Sequence, residues 1–220
     1  MTCQFCYKNI SEKRCFTSVL FLKRRSFQTC EDCLKQFEKV DEESCFSCYQ
    51  KTTLEKCQDC LDWETKGNSV KHKSIYRYNQ AMKTYFSVFK FQGDYLMAWQ
   101  FAEEIKQTLK LYKDFTVVPI PLSKKRMATR RFNQVEALLE AAEISYERIL
   151  EKKDIDSQTT KTKQERLSSE QVFKIKQDIK IPKKVLLVDD IYTTGQTIFL
   201  AKKALQDIGV KEIISFSLAR

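Results

Sequence analysis

Glycine is scarce in this chain: there are four in 220 residues, beside three prolines and one histidine. A P-loop nucleotide hydrolase needs G-x-x-x-x-G-K-[ST] to cradle phosphates, and no such stretch is present, which excludes that class. No apolar run approaches the roughly 18 residues that span a bilayer; the longest near the start is Val19 to Leu22. The opening MTCQFCYKN lacks the apolar stretch of a signal peptide, so a cytoplasmic chain is expected. Cysteine is missing from the last 160 residues, and all nine lie between Cys3 and Cys60. A reducing compartment does not favour disulfides among them.

Those cysteines are ordered instead. Eight form four CxxC pairs, Cys3/Cys6, Cys30/Cys33, Cys45/Cys48 and Cys57/Cys60, separated by 23, 11 and 8 residues. A CxxC turn sets two sulfurs one coordination edge apart, and two turns complete a tetrahedral four-thiolate zinc site. Two structural Zn2+ ions are therefore expected. Sequential pairing makes a double zinc ribbon, although spacing also permits 3/6 with 45/48 and 30/33 with 57/60. Cys15 is left over as a small apolar residue. A thioredoxin-like redox role fits poorly, since that motif occurs once inside a βαβ unit. The lone His72 is expected to be neither ligand nor catalyst.

Charge divides at the same place. Residues 1–62 carry ten basic and ten acidic side chains, leaving 29 basic and 19 acidic residues in 63–220. The whole net charge of +10 belongs to the second part. That balance suggests a phosphate-bearing partner, nucleic acid or a phosphorylated metabolite, over a merely solvated basic surface. The expected organisation is a zinc ribbon over 1–62, a polar linker over 63–73 and a main domain over 74–220.

The main domain alternates strands and helices. SIYRYN, FTVVPIP, ISYERIL, KKVLLVD and EIISFSLA read as strands. QAMKTYFSVFKF, DYLMAWQFAEEIKQTLKLYKD, QVEALLEAAEI and TIFLAKKALQDI read as helices. The second presents Leu96, Trp99, Ala102, Ile105 and Leu109 on one face. The fourth turns Ile198, Ala201, Ala204, Leu205 and Ile208 inward and stops at Gly209. Asn133 is placed to cap the third, with Glu136 completing a capping box. Residues 152–170 read as a mobile polar loop. Apolar strands alternating with helices imply an α/β fold, a parallel sheet covered on both faces.

VLLVDDIYTTGQT, residues 185–197, carries the chemistry. Asp189 and Asp190 follow four buried apolar residues, at the carboxyl end of a strand where α/β sheets bind ligands. Adjacent acids on a strand point to opposite faces, so a general acid/base dyad is not expected. They suit hydrogen bonds from neighbouring sugar hydroxyls, or a metal. Thr193, Thr194, Gly195, Gln196 and Thr197 then supply donors at a helix N-terminus, where an anion is stabilised.

This stretch resembles the 5-phosphoribosyl-1-pyrophosphate (PRPP) binding motif of type I phosphoribosyltransferases. The resemblance implies that Asp189 and Asp190 contact the ribose hydroxyls and that residues 193–197 hold the 5′-phosphate. FKFQGD, VPIPLSKKRMATRRFNQ and SQTTKTKQERLSSEQVF, behind the four CxxC pairs, resemble the ComF family of competence proteins over essentially the whole chain. That likeness implies a type I phosphoribosyltransferase-like sheet behind a small N-terminal zinc-ribbon module. It further implies pyrophosphate at Pro121, Leu122, Ser123 and Lys124, Mg2+ bound with PRPP, and a hood formed by 154–173. It also implies natural transformation, with incoming single-stranded DNA, a partner helicase and a place at the inner membrane face. The chain departs from the family at Arg131, where glycine is common, and at Ser169, where asparagine is common. A glycine-only backbone conformation is therefore not expected at Arg131.

Candidate DNA contacts are Lys124, Lys125, Arg126, Arg130 and Arg131, with Lys152, Lys153, Lys161, Lys163 and Arg166. The first cluster serves a pyrophosphate equally well. Tyr76, Tyr78, Phe89 and Tyr95 could stack on bases, but their spacing favours the core. No acceptor-base pocket, nucleophilic cysteine or glutamine-hydrolysing domain is legible, so binding is better supported than turnover. Three functions remain: a PRPP-binding DNA-uptake factor, a salvage phosphoribosyltransferase acting on a base or amine, and a zinc-ribbon adaptor with a non-catalytic sheet.

Overall fold

A computed structural model describes residues 2–10, 29–153 and 172–220. Its centre is a four-stranded, all-parallel sheet in the order β1-β6-β5-β2, formed by β1 (His72–Tyr76), β2 (Thr116–Pro119), β5 (Lys184–Ile191) and β6 (Glu212–Ala219). A separate antiparallel pair joins β3 (Leu150–Lys152) to β4 (Phe173–Ile175). Among the described residues the α-helices are α1 (Glu31–Leu34), α2 (Gln58–Thr65), α3 (Gln80–Ser87), α4 (Ala102–Leu109), α5 (Lys124–Arg130), α6 (Gln134–Ala141) and α7 (Gln196–Asp207). Among the described residues no helix is long and apolar enough to cross a membrane.

Strand β5 shows why the sheet is parallel and central. Val185 to Val188 are all buried, and their alternation divides them between two cores. Leu186 and Val188 pack with Phe86, Phe101 and Leu139 on one face. Val185 and Leu187 pack with Ile198, Ala201 and Leu205 of α7 on the other. Each such burial contributes about 1.5–3 kcal/mol, and only a strand covered on both faces gains it at every position. Cys45, Cys48, Cys57 and Cys60 belong to the second of these cores. Phe37 belongs to the first and stacks edge-on against Phe101. The cysteine-rich segment thus shares its apolar interior with the sheet.

Four local expectations are corrected. The segment read as one helix from Asp94 is a 3-10 turn over Tyr95–Phe101 followed by α4. With three residues per turn, Met97, Ala98 and Phe101 go inward, while Leu96 is left 64% exposed. Of ISYERIL only Leu150 enters a strand. Tyr146 and Arg148 instead reach back to α6, to Glu140 at 2.7 Å and Glu136 at 2.8 Å. That ion pair takes the Glu136 carboxylate, so no capping box forms, although Asn133 does cap through the Val135 amide at 3.0 Å. Finally, Arg131 adopts the left-handed conformation, φ 67°, that a non-glycine residue was not expected to take at this position. Its amide closes α5 on the Met127 carbonyl at 2.8 Å, and this helix-ending bond offsets the strain of a side chain in that region.

Candidate functional site

The ladder between β2 and β5 ends at Pro119 and Val188. One further bond, from the Ile120 amide to the Val188 carbonyl at 2.8 Å, closes it. Beyond it β5 runs on beside β6 alone, and a cleft of about 210 Å³ opens where β2 has left. This is the carboxyl-end crevice in which α/β sheets bind ligands. Asp189 and Asp190 both border it, together with Lys90, Arg126, Arg130 and Lys152. Both acids border this one cleft although they alternate along β5, Asp190 following Val188 and Asp189 following Leu187 in the two-residue repeat of the strand.

The charges are closely engaged. Asp190 pairs with Lys90 at 2.6 Å, both side chains being mostly buried (15% and 13% exposed). Lys90 comes from a π-helical continuation of α3 over Val88–Gln92, and its ammonium also lies over the Phe86 ring. Such widened turns recur at functional sites. Asp189 accepts the Asp190 amide at 2.9 Å. Burial, and then the Asp190 charge beside it, push its carboxyl up to about 7. Burial lowers Arg130 and Lys152 from their ordinary values. Four cations facing two carboxylates leave the cleft net positive, a site for an anion that also offers hydroxyl acceptors.

Asn133 and Gln134 complete the wall. The Asn133 amide donates to the Ile120 carbonyl at 3.1 Å while its oxygen caps α6, so one side chain ties the end of β2 to a helix start. Arg130 donates Nη1–H to the side-chain Oε1 of Gln134 at 3.0 Å.

The residues singled out from sequence are separated by the fold. Pro121, Leu122, Thr193 and Thr197 border the cleft with the two acids. Ser123 uses its hydroxyl to cap α5 through the Arg126 amide at 3.4 Å, and Lys124 begins that helix, exposed. Thr194 and Gly195 lie toward α2, with the Thr194 carbonyl accepting from Trp63. Gly195 sits at φ 80° with Tyr192 so close that an added Cβ would fall 2.2 Å from its hydroxyl. Arg126 and Arg130 turn into the cleft; Lys125 and Arg131 are exposed outside it. Lys161, Lys163 and Arg166, with Cys15, Ser169 and most of the expected hood, lie outside the described residues. Tyr76 and Phe89 are core residues, and Tyr78 and Tyr95 are 41% and 38% exposed. Lys90 lies within FKFQGD, a stretch that carries part of the family resemblance, yet it is not a site residue by sequence, because the π turn that aims it is not a periodicity signal.

The cysteines gather as two sites, Cys3/Cys6/Cys30/Cys33 and Cys45/Cys48/Cys57/Cys60, and sequential pairing is therefore the one adopted. All ligand atoms within a site lie within 4.8 Å of each other. The Sγ–Sγ edges are 3.6 Å (Cys6–Cys30), 3.7 Å (Cys45–Cys60) and 3.5 Å (Cys48–Cys57). A tetrahedron with Zn–S near 2.3 Å has edges of roughly 3.8 Å, so both sets fit structural zinc. His72 stands apart from both. It opens β1, is buried, and bonds the Ser215, Ser74 and Ser217 hydroxyls at 2.9, 2.9 and 3.0 Å.

Comparison with known proteins agrees with this architecture. Residues 100–220 match the family described as Phosphoribosyl transferase domain. The chain is 44% identical to Competence protein ComFC of Streptococcus pneumoniae, across 100% of both chains. It is 32% identical to Competence protein ComFC of Bacillus subtilis, across 100% of this chain and 95% of that one. A hypoxanthine phosphoribosyltransferase from Staphylococcus aureus aligns at 20% identity over 54% of this chain and 61% of its own, with a TM-score of 0.32, too low to argue from.

Proposed function

The chain belongs to the ComFC family of competence proteins and carries a phosphoribosyl transferase domain, and from that premise we propose that its cleft binds PRPP. The observation that carries this reading is the pairing of Asp189 and Asp190 with four cations in one crevice at the strand ends. The acids accept the ribose hydroxyls. Thr193 to Thr197, at the N-terminus of α7, receive the 5′-phosphate. Pro121, Leu122, Ser123 and Lys124, with Arg126, Arg130 and Lys152, face the pyrophosphate. Mg2+ would accompany the ligand, with Asp189 or Asp190 as the hard oxygen donors this chain would offer it, and would neutralise charge on the pyrophosphate. A zinc ribbon over 1–62 and a connection over 63–73, whose first residues finish α2 and whose last two open β1, precede the binding domain over 74–220.

The wider role we propose is DNA uptake in natural transformation, on the cytoplasmic side and peripheral to the inner membrane face, beside a helicase. Lys124 and Lys125 on α5 and Arg131 at its end, all exposed, extend the positive field of the cleft-lining Arg126 and Arg130 toward a single strand; Lys161, Lys163 and Arg166 are the further candidates. A ligand that binds the native state raises its melting temperature. PRPP with Mg2+ should therefore raise Tm by several degrees at millimolar concentration, and more than pyrophosphate with Mg2+, which lacks the ribose. Equal shifts would remove the role of the acids in reading a sugar. The salvage-enzyme reading predicts pyrophosphate release with some base or amine, and a flat acceptor screen counts against it.

A further inference from the structure

The second four-cysteine centre touches the turn after Asp190 through two residues that no motif marked. Arg220 follows β6 and its side chain is only 9% exposed. Through Nη2 it donates to Cys48 Sγ at 3.5 Å, Gln50 Oε1 at 2.6 Å and Asp59 Oδ2 at 3.1 Å. Through Nη1 it donates to the carbonyls of Thr193 and, at 3.4 Å, Tyr192. Its guanidinium lies over the Tyr192 ring, whose centroid is 4.9 Å away, and that ring stacks on His72 at 4.1 Å. Trp63 of α2 donates Nε1 to the Thr194 carbonyl at 3.0 Å and stacks on Phe199 of α7 at 4.8 Å.

We propose that the second zinc centre, through Arg220 and Trp63 as positioning residues, holds the Thr193–Gly195 turn in its anion-binding shape. A trans peptide sets its N–H opposite its C=O. Tying the carbonyls of 193 and 194 to the zinc side therefore turns the amides of Thr194 and Gly195 away from it. Thr193 borders the cleft at this turn. Zinc matters because it fixes Cys48 as a thiolate, a stronger acceptor for a guanidinium than a thiol. The same guanidinium then spans the metal centre and the turn. Such a fork cannot be supplied by lysine, whose ammonium is a point charge. The consequence for ligand affinity rests on the phosphate role proposed above; the clamp itself does not.

The test is hydrogen exchange of the zinc-loaded full chain, read by mass spectrometry over residues 192–197, for wild type, Arg220→Gln and Trp63→Phe. Exchange in this turn should quicken about tenfold in Arg220→Gln and a few-fold in Trp63→Phe, the range expected for losing a hydrogen bond, charged or neutral. Exchange in β2 should stay as in wild type, with two zinc ions per chain by native mass spectrometry. PRPP affinity should fall in the same order. Unchanged exchange at 192–197 in the zinc-loaded variants overturns the proposal. Should Arg220→Gln lose zinc or fail to fold, Trp63→Phe, which leaves a ring on Phe199, decides alone. Faster exchange in the variants than in wild type, with no PRPP binding by any of the three proteins, would uphold the clamp and overturn the ligand reading instead.

Discussion

Asp189 carries the tension of the site. Its carboxyl titrates near 7 because burial and Asp190 disfavour the charge. Unfolded, it titrates near 3.9. Between those values the folded state holds a proton that the unfolded state has released, so stability falls as pH rises from about 4 to about 7 and is flat above. Asp189→Asn should therefore melt a few degrees higher than wild type at pH 8, with the gap closing toward pH 4, as followed by circular dichroism. A gap independent of pH would mean that the carboxyl ionises without penalty. The motif around Asp189 was legible because β5 is a short apolar run ending in two acids. The Lys90–Asp190 pair was not, because its partners lie 100 residues apart and meet only in the folded chain.

At the scale of elements, the strands and helices with a full apolar period were readable, and those whose geometry deviates from it were not. Strand β5, strand β6 and α7 lie close to where the alternation put them. The π continuation over Val88–Gln92 and the 3-10 turn over Tyr95–Phe101 were merged into regular helices, since apolar spacing of three and four residues fits each. Asn133 is the informative case. Its cap on α6 was foreseeable from residue type, yet its bond to the Ile120 carbonyl was not. Because it is buried and serves both elements, Asn133→Ala should cost about 2–3 kcal/mol, the sum of a lost cap and an orphaned carbonyl. Urea denaturation measures this; a loss under about 0.5 kcal/mol, the scale of an ordinary surface change, would show that water replaces both bonds.

For the molecule as a whole, cysteine clustering foretold two metal centres but not how tightly the second joins the sheet. Cys45, Cys48, Cys57 and Cys60 share a core with Val185, Leu187 and Ile198. Cys45→Ser should therefore release one zinc per chain by native mass spectrometry and lower the melting temperature of the entire protein. A chain that loses that zinc yet melts unchanged would contradict the shared core. The spacing of four CxxC pairs could not reveal this, since it reports ligands and not what they pack against. The central claim is that the cleft beside Asp189 and Asp190 binds PRPP. Calorimetric titration of the zinc-loaded chain with PRPP and Mg2+ tests it most directly, with Asp189→Asn/Asp190→Asn alongside. The account predicts saturable one-site binding by wild type and a loss of about 100-fold or more in the double variant, the equivalent of roughly 3 kcal/mol. Flat heats for wild type, or equal affinity in both proteins, would contradict it.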